Sequence, residues 1–300
     1  MEALVAKLQS FAVDPNQTLW HYTNGSALLA IINSGTIFST QVSCLNDSTE
    51  VRYASKLFCA ALESLRALYL GDSIASAFLD RAIDLFQEDI DDPSQSAIPY
   101  FVTCFTELED DLSQWRAYGG GENGYALGFK ASDLFGVSQS IVVKVNYDQS
   151  LHVRLAEETA KATVTYYIAG LNEDGGRDPD AWADEFLFVW NELITRIAPL
   201  VKDPGFESEQ EYRIVKQFTP GDVGQLHFLQ KNSLMSRHLP LQLPSGMAAS
   251  GSGYRLPISS IMVGPCRHRH VSRASIGSLL LQKFYAMNMV SVSRSPFQVT

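Results

Sequence analysis

Leu19-Trp20-His21-Tyr22-Thr23, followed by Gly25-Ser26-Ala27-Leu28-Leu29-Ala30-Ile31-Ile32-Asn33-Ser34-Gly35, decides how this chain is read. Residues 18–22 are rich in aromatic and apolar side chains and predict a short strand. Residues 25–35 carry helical spacing, with Ser26 placed to cap the start and Gly35 to end it. Residues 36–42 predict a second strand. Further along, 48–70 and 73–90 are predicted helical. Residues 98–106, 125–130 and 141–147 are predicted strands, 151–170 and 181–201 helices, and 211–218, 226–230 and 258–264 strands again. A helix over 272–287 and a strand over 290–292 close the chain. Strands come in groups interrupted by helical blocks rather than alternating one to one. That pattern predicts an α+β fold on a mixed, mostly antiparallel sheet. The expected organisation is one α+β domain over 1–300, with helical insertions at about 51–97 and 150–200. Ser245 to Gly253 reads as a flexible surface loop.

Composition bounds the function. The chain has 300 residues, 46% hydrophobic and 19% charged, with a formal net charge of −10. Such a balance describes a globular chain, not a disordered one. No apolar run nears the roughly 18 residues of a membrane helix. Met1 to Leu8 reads as a short amphipathic helix rather than a secretory signal. A cytoplasmic location with no membrane association is expected. The acidic balance argues against a general nucleic-acid binder, because phosphate contacts need clustered cations. The acidic runs Glu88-Asp89-Ile90-Asp91-Asp92 and Glu107-Leu108-Glu109-Asp110-Asp111 read as solvated turns, without the glycine and distal glutamate of a calcium loop. Arg267-His268-Arg269-His270 reads as a solvated loop before a helix. Cys44, Cys59, Cys104 and Cys266 lack CxxC spacing, and no metal site is expected.

Two segments carry candidate chemistry. His21 sits at the end of the first strand. Glu209 and Glu211 open another, where alternate residues share a face. A strand-borne histidine opposite a strand-borne glutamate suits a sugar-nucleotide and the positive charge that develops on its ribose. The competing reading makes His21 a hydrogen-bonded core residue and pairs Glu211 with Arg213. Between these segments lies Ser113-Gln114-Trp115-Arg116-Ala117-Tyr118-Gly119-Gly120-Gly121-Glu122-Asn123-Gly124. Its glycines allow close backbone approach. Trp115 and Tyr118, three apart, share a face on a helical turn and suit stacking on a planar ring. A connection anchored by two aromatics fits the same residues. The segment is neither a Rossmann fingerprint nor a P-loop.

The ordered set of Trp20-His21-Tyr22-Thr23, Ile31-x-x-Ser34-Gly35-Thr36, Leu45-Asn46-Asp47-x-x-Glu50, Cys104-Phe105-Thr106 and Leu112-Ser113-Gln114-Trp115-x-x-Tyr118 continues with three more motifs. These are Gly124-x-x-Leu127-Gly128-Phe129, Glu209-x-Glu211-Tyr212-Arg213 and Ile261-x-x-Gly264-Pro265. The set resembles the bacterial domain-of-unknown-function family twenty-nine seventy-one, in order from about residue 19 to 296. More distantly, the plan resembles the ADP-ribosyltransferase superfamily, whose split sheet binds NAD. That resemblance implies NAD as the substrate and a glutamate that contacts the ribose as the glycosidic bond breaks. By position it implies His21 and Glu211 as the catalytic pair. His21, Tyr22, Thr23, Trp115 and Tyr118 would hold NAD, and Glu209 and Arg213 would bind substrate. It further implies a transferase, in phage defence or a toxin system; the acidic balance argues for a protein acceptor over nucleic acid. An NAD glycohydrolase and a non-catalytic nucleotide- or partner-sensing module are the alternatives. The superfamily's arginine-modifying branch has arginine where this chain has His21, and a Ser-Thr-Ser strand where it has Cys104-Phe105-Thr106. Cleavage would pass through an oxocarbenium-like state, which a carboxylate beside the ribose stabilises by about a hundredfold in rate or more.

Overall fold

A computed structural model of the chain describes residues 14–45, 49–91, 100–121, 124–137, 140–173, 176–231, 234–243, 247–249 and 253–296. The expected N-terminal helix over Met1–Leu8 lies outside them. The described residues fall into two compact units, one from Gln41–Tyr100 and Val145–Ser208, the other from Ala12–Thr40, Phe101–Lys144 and Glu209–Thr300. The blocks read as helical insertions lie in the first unit.

That first unit is helical. It is built from α2 (Thr49–Arg66), α3 (Ser73–Asp91), α5 (Gln149–Asn172) and α6 (Pro179–Ile197). Their apolar stripes meet through aromatic pairs: Phe78 stacks on Tyr167 with ring centroids 4.0 Å apart, and Phe86 meets Trp190 edge-on at 5.3 Å. A polar chain crosses α2 and α5. The Tyr53 hydroxyl lies 2.8 Å from His152 Nδ1, and His152 Nε2 lies 3.1 Å from the Asn146 carbonyl and 2.9 Å from Asn146 Oδ1. Two acceptors at Nε2 require its proton there, so Nδ1 accepts from Tyr53. Burial lowers the His152 pKa, and His152 is held neutral.

The second unit carries the sheet. Its strands are β1 (Thr18–Asn24), β2 (Ile37–Gln41), β3 (Tyr100–Thr106), β4 (Gly124–Lys130), β5 (Ser140–Lys144), β6 (Glu211–Gln217), β7 (His227–Lys231), β8 (Leu234–Leu241), β11 (Ile258–Val263) and β12 (Val290–Val292). Their order is β12-β11-β4-β1-β3-β2-β8-β7, and β6 branches off by pairing with both β3 and β5. The sheet is mixed and mostly antiparallel; β11 and β12 run parallel. The expected α+β class holds. Sequence reading missed β8. It also read as a loop the small hairpin of β9 (Met247–Ala249) and β10 (Gly253–Arg255).

Two helices flank β1. The first, α1 (Gly25–Ser34), starts two residues earlier than the Ser26 cap predicts: Asn24 is the cap, its Oδ1 accepting the Ala27 amide at 2.9 Å. Gly35 ends it at φ +66, and a Cβ there would sit 2.0 Å from the Tyr254 carbonyl oxygen. Only glycine tolerates both the left-handed turn and that approach. The second, α4 (Leu112–Tyr118), is capped by Asp111, whose Oδ1 accepts the Ser113 and Gln114 amides at 2.8 and 3.1 Å. The last helix, α7 (Arg269–Gln282), begins inside the stretch that reads as a loop.

The two sheet faces bury different clusters. On one, Leu19, Phe105, Leu127, Phe129, Tyr212, Ile214 and Ile261 pack with Leu28 and Ile32 of α1 and Ile276 and Leu280 of α7. On the other, Trp20, Tyr22, Ala126 and Met262 enclose Trp115 of α4.

Candidate functional site

The β1–β4 ladder is regular from Thr18↔Lys130 to Asn24↔Gly124, so side chains alternate without interruption along β1. His21 and Thr23 therefore follow Leu19 onto the α1 face, and Tyr22 follows Trp20 onto the α4 face. The β1–β3 ladder is registered at Trp20↔Thr106. One residue along from it, His21 bridges the two strands: its Nδ1 lies 2.8 Å from the Cys104 carbonyl oxygen. A carbonyl only accepts, so Nδ1 carries the proton and Nε2 the lone pair. The ring tilts against Phe105 at 5.7 Å. Desolvation pulls the His21 pKa below its usual value, against a smaller upward pull from the Cys104 bond. The imidazole is thus neutral at pH 7, tautomer fixed, with Nε2 an acceptor that meets no described hydrogen-bond donor. Thr23 is buried beside it on the same face.

Glu211 has a different environment. Glu209 ends a 3-10 turn (Pro204–Glu209), Gln210 adopts φ +45, and β6 begins only at Glu211. The left-handed residue breaks the alternation, so the expected shared face of Glu209 and Glu211 does not arise from a strand. Glu209 is tied through its main chain, its carbonyl accepting from Thr106 Oγ1 at 2.7 Å. Glu211 and Arg213 form a bidentate pair, Nε to Oε1 at 2.8 Å and Nη2 to Oε2 at 2.8 Å, with 5% and 1% of their surfaces exposed. Tyr212 and Ile214 join the cluster that holds Leu19 and Phe105. Alternation then turns Glu211 and Arg213 to the opposite face from His21. The expected convergence of His21, Tyr22, Trp115 and Glu211 on one pocket is not formed here, because strand alternation separates His21 from the other three.

Trp115 and Tyr118 also part company. Trp115 is 4% exposed, meets Tyr22 edge-on at 4.5 Å, and donates from Nε1 to Asp110 Oδ1 at 2.8 Å. A Cβ on Gly264 would come within 2.8 Å of its ring, so this tryptophan is walled in. Tyr118 is 36% exposed at the helix end. Two residues of α4 therefore separate a walled-in anchor from a ring at the surface. The Tyr22 hydroxyl donates to the Leu108 carbonyl at 2.9 Å and accepts the Asp111 amide at 3.1 Å. Burial raises its pKa well above the normal phenol range.

The acidic run at 107–111 is not a solvated turn. Glu107 binds Lys144 at 3.0 Å and Gln17 at 2.6 Å. Asp110 receives Trp115 Nε1, the Ser293 hydroxyl at 2.6 Å and the Arg294 amide at 2.7 Å. Desolvation would raise the Asp110 pKa, but these donors outweigh it and lower the pKa. Sequence reasoning missed this hub; its only signal is an aspartate immediately before the Asp111 cap. Among the described residues no group of three His, Cys, Asp or Glu is placed to hold a metal, and no helix is long and apolar enough to cross a membrane.

A family model described as "Protein of unknown function (DUF2971)" matches residues 114–214, about a third of the chain. The match spans the Gln114-Trp115-x-x-Tyr118, Gly124-x-x-Leu127 and Glu211-Tyr212-Arg213 motifs and leaves the β1 motif outside. No curated protein and no solved structure matches the chain.

Proposed function

We propose that this chain is a nucleotide-sensing protein of ADP-ribosyltransferase-like plan, holding a ribose hydroxyl of NAD or ADP-ribose at His21 without cleaving it. One contrast carries the reading. His21 offers a neutral acceptor at Nε2, while both carboxylate oxygens of Glu211 are engaged by Arg213 on the other face. A fixed acceptor selects a donor, and a ribose hydroxyl is a donor where a phosphate oxygen is not. A carboxylate neutralised by a buried guanidinium has little negative charge left for an oxocarbenium-like centre. A ligand that binds only the folded state stabilises it by about 2.7 kcal/mol at a hundred times its dissociation constant. Millimolar NAD and ADP-ribose should therefore both raise the unfolding temperature, His21→Ala should remove most of the rise, and nicotinamide should not be released over hours. Absence of any shift with either ligand sinks the reading.

A second reading, an NAD-dependent transferase or glycohydrolase, is favoured by the strand order. β1 pairs with β3 and β3 with β6, so His21, Cys104-Phe105-Thr106 and Glu211 occupy three adjacent strands. That chemistry requires Glu211 to leave Arg213 and meet the ligand that His21 holds. Release of nicotinamide by the wild type, abolished in Glu211→Gln with folding retained, would select it.

A further inference from the structure

The net charge of −10 conceals a segregation. All thirty-three Asp and Glu precede residue 223, where they stand against fifteen Lys and Arg for a formal −18. From Val223 to Thr300 there are eight Lys and Arg, four of the six histidines and no side-chain carboxylate. Six of the eight cations are arginine. A random placement of one-ninth acidic residues would not leave 78 positions empty of them, so the sequence excludes negative charge from this segment as a whole.

The fold concentrates much of that charge. Lys231 and Arg237 lie on β7 and β8 at one edge of the sheet. Arg267, Arg269, Arg273, Lys283 and Arg294 lie on or beside α7 and β12 at the other, and Arg255 lies on β10 of the separate hairpin. Arg267, Arg273 and Arg294 are exposed, as are His268 and His270. Arg269 and Arg273 are one helical turn apart and donate to carbonyl oxygens of the β12 region, Ser293 at 3.4 Å and Val290 at 3.0 Å. Arg255 donates to the Phe284 carbonyl. These bonds hold the guanidinium groups in place without neutralising them. Asp110, which lies against Ser293–Ser295, accepts from Trp115, two serine hydroxyls and the Arg294 amide.

We infer that the surface of α7 and β12 docks the phosphate backbone of a nucleic acid, through Arg267, Arg269 and Arg273. Positions i and i+4 on a helix stand about 5–6 Å apart, a spacing suited to neighbouring phosphates on one strand. The guanidinium fork fits phosphate in two-point contact, and pre-positioned arginines lose less entropy on binding. Ile276 and Leu280 of α7 are buried against the sheet while Val271 and Leu281 are exposed on the same helix, so an acidic membrane is the competing occupant that the vesicle arm of the test addresses. This inference is independent of His21.

The test is fluorescence anisotropy of the full chain with a labelled 20-nucleotide oligothymidylate and a 20-base-pair duplex, from 50 to 200 mM KCl. Binding should weaken by about tenfold or more over that range if three phosphates are neutralised. Arg267→Gln with Arg269→Gln and Arg273→Gln keeps amide donors for the β12 carbonyls. It should weaken binding at least tenfold and reduce the salt slope by about one per arginine removed. Lys231→Gln with Arg237→Gln, at the far edge, should leave both unchanged. If the triple variant melts early, Arg267→Glu alone, at an exposed position, should still weaken binding severalfold. No binding at 50 mM KCl, binding untouched by the α7 variants, or binding only to phosphatidylcholine vesicles carrying one-fifth phosphatidylserine each overturns the inference.

Discussion

β1 and β6 carry the two residues that best suit ribose chemistry, and the fold treats them in opposite ways. On β1, His21 is fixed by one backbone bond and keeps a free acceptor. On β6, Glu211 is fixed by a charged partner that uses both of its oxygens. Both side chains are held, but only one is left with something to offer. The difference lies in what each residue was given as a neighbour two positions away: Thr23 on β1 has no charge, whereas Arg213 on β6 has one that burial forces into a pair.

The largest test of that contrast is on β6. Arg213→Ala strips a buried carboxylate of its partner and should cost about 3–5 kcal/mol, read from urea unfolding. The double change Arg213→Met with Glu211→Leu should recover most of the loss, since apolar replacement of a buried ion pair is often neutral. If Arg213→Ala is nearly silent, Glu211 is not locked and the transferase reading gains. Glu211→Gln keeps the shape but leaves a buried guanidinium facing a neutral amide. It should destabilise by about 2 kcal/mol, with NAD binding at His21 unchanged; a loss of binding without a loss of stability would reverse the roles assigned to the two strands.

On β1 the sharper probe is pH. The folded pKa of His21 lies below the unfolded value, so the unfolded chain binds the proton first as pH falls. The stability that neutral His21 contributes is complete above the unfolded value of about 6.5 and is lost as pH drops through the folded one. The limiting slope is about 1.4 kcal/mol per pH unit for each such histidine. His152, lowered for the same reason, adds a slope of the same sign. Unfolding from pH 8 to 5 should show a drop that is shallower in His21→Asn, where the amide can still donate to Cys104. An identical slope in that variant would mean that His21 takes up its proton in the fold at the same pH as in the unfolded chain.

The smallest effect lies behind β1. Asp111→Ala removes the α4 cap and should cost about 1 kcal/mol. Because Trp115 and Tyr22 pack on the face away from His21, the NAD-dependent shift should persist. Its loss would show that the aromatic cluster, and not the imidazole, supports the ligand.

Strand β1, the helix ended by Gly35, and the apolar stripes of α2, α3, α5 and α6 are set by alternation, helical period and a glycine, each a property of a few neighbouring residues. Glu211 paired with Arg213 was legible as one of two options, since i and i+2 must share a strand face. Three things were not legible. Gln210 at φ +45 separates Glu209 from Glu211, and a glutamine gives no warning of that turn. Asp110 gathers donors from residues up to 185 positions away, so its run reads as solvated until the C-terminal strand is placed. Whether His21 shares a face with Glu211 depends on the registers of β1, β3 and β6 together, and register over such distances is settled by packing both sheet faces at once. The sequence by itself determined the elements, their polarity and a carboxylate-free final quarter; the tertiary structure alone decided that the histidine stays available and the glutamate does not, because burial makes a charge find its partner while leaving a neutral acceptor open.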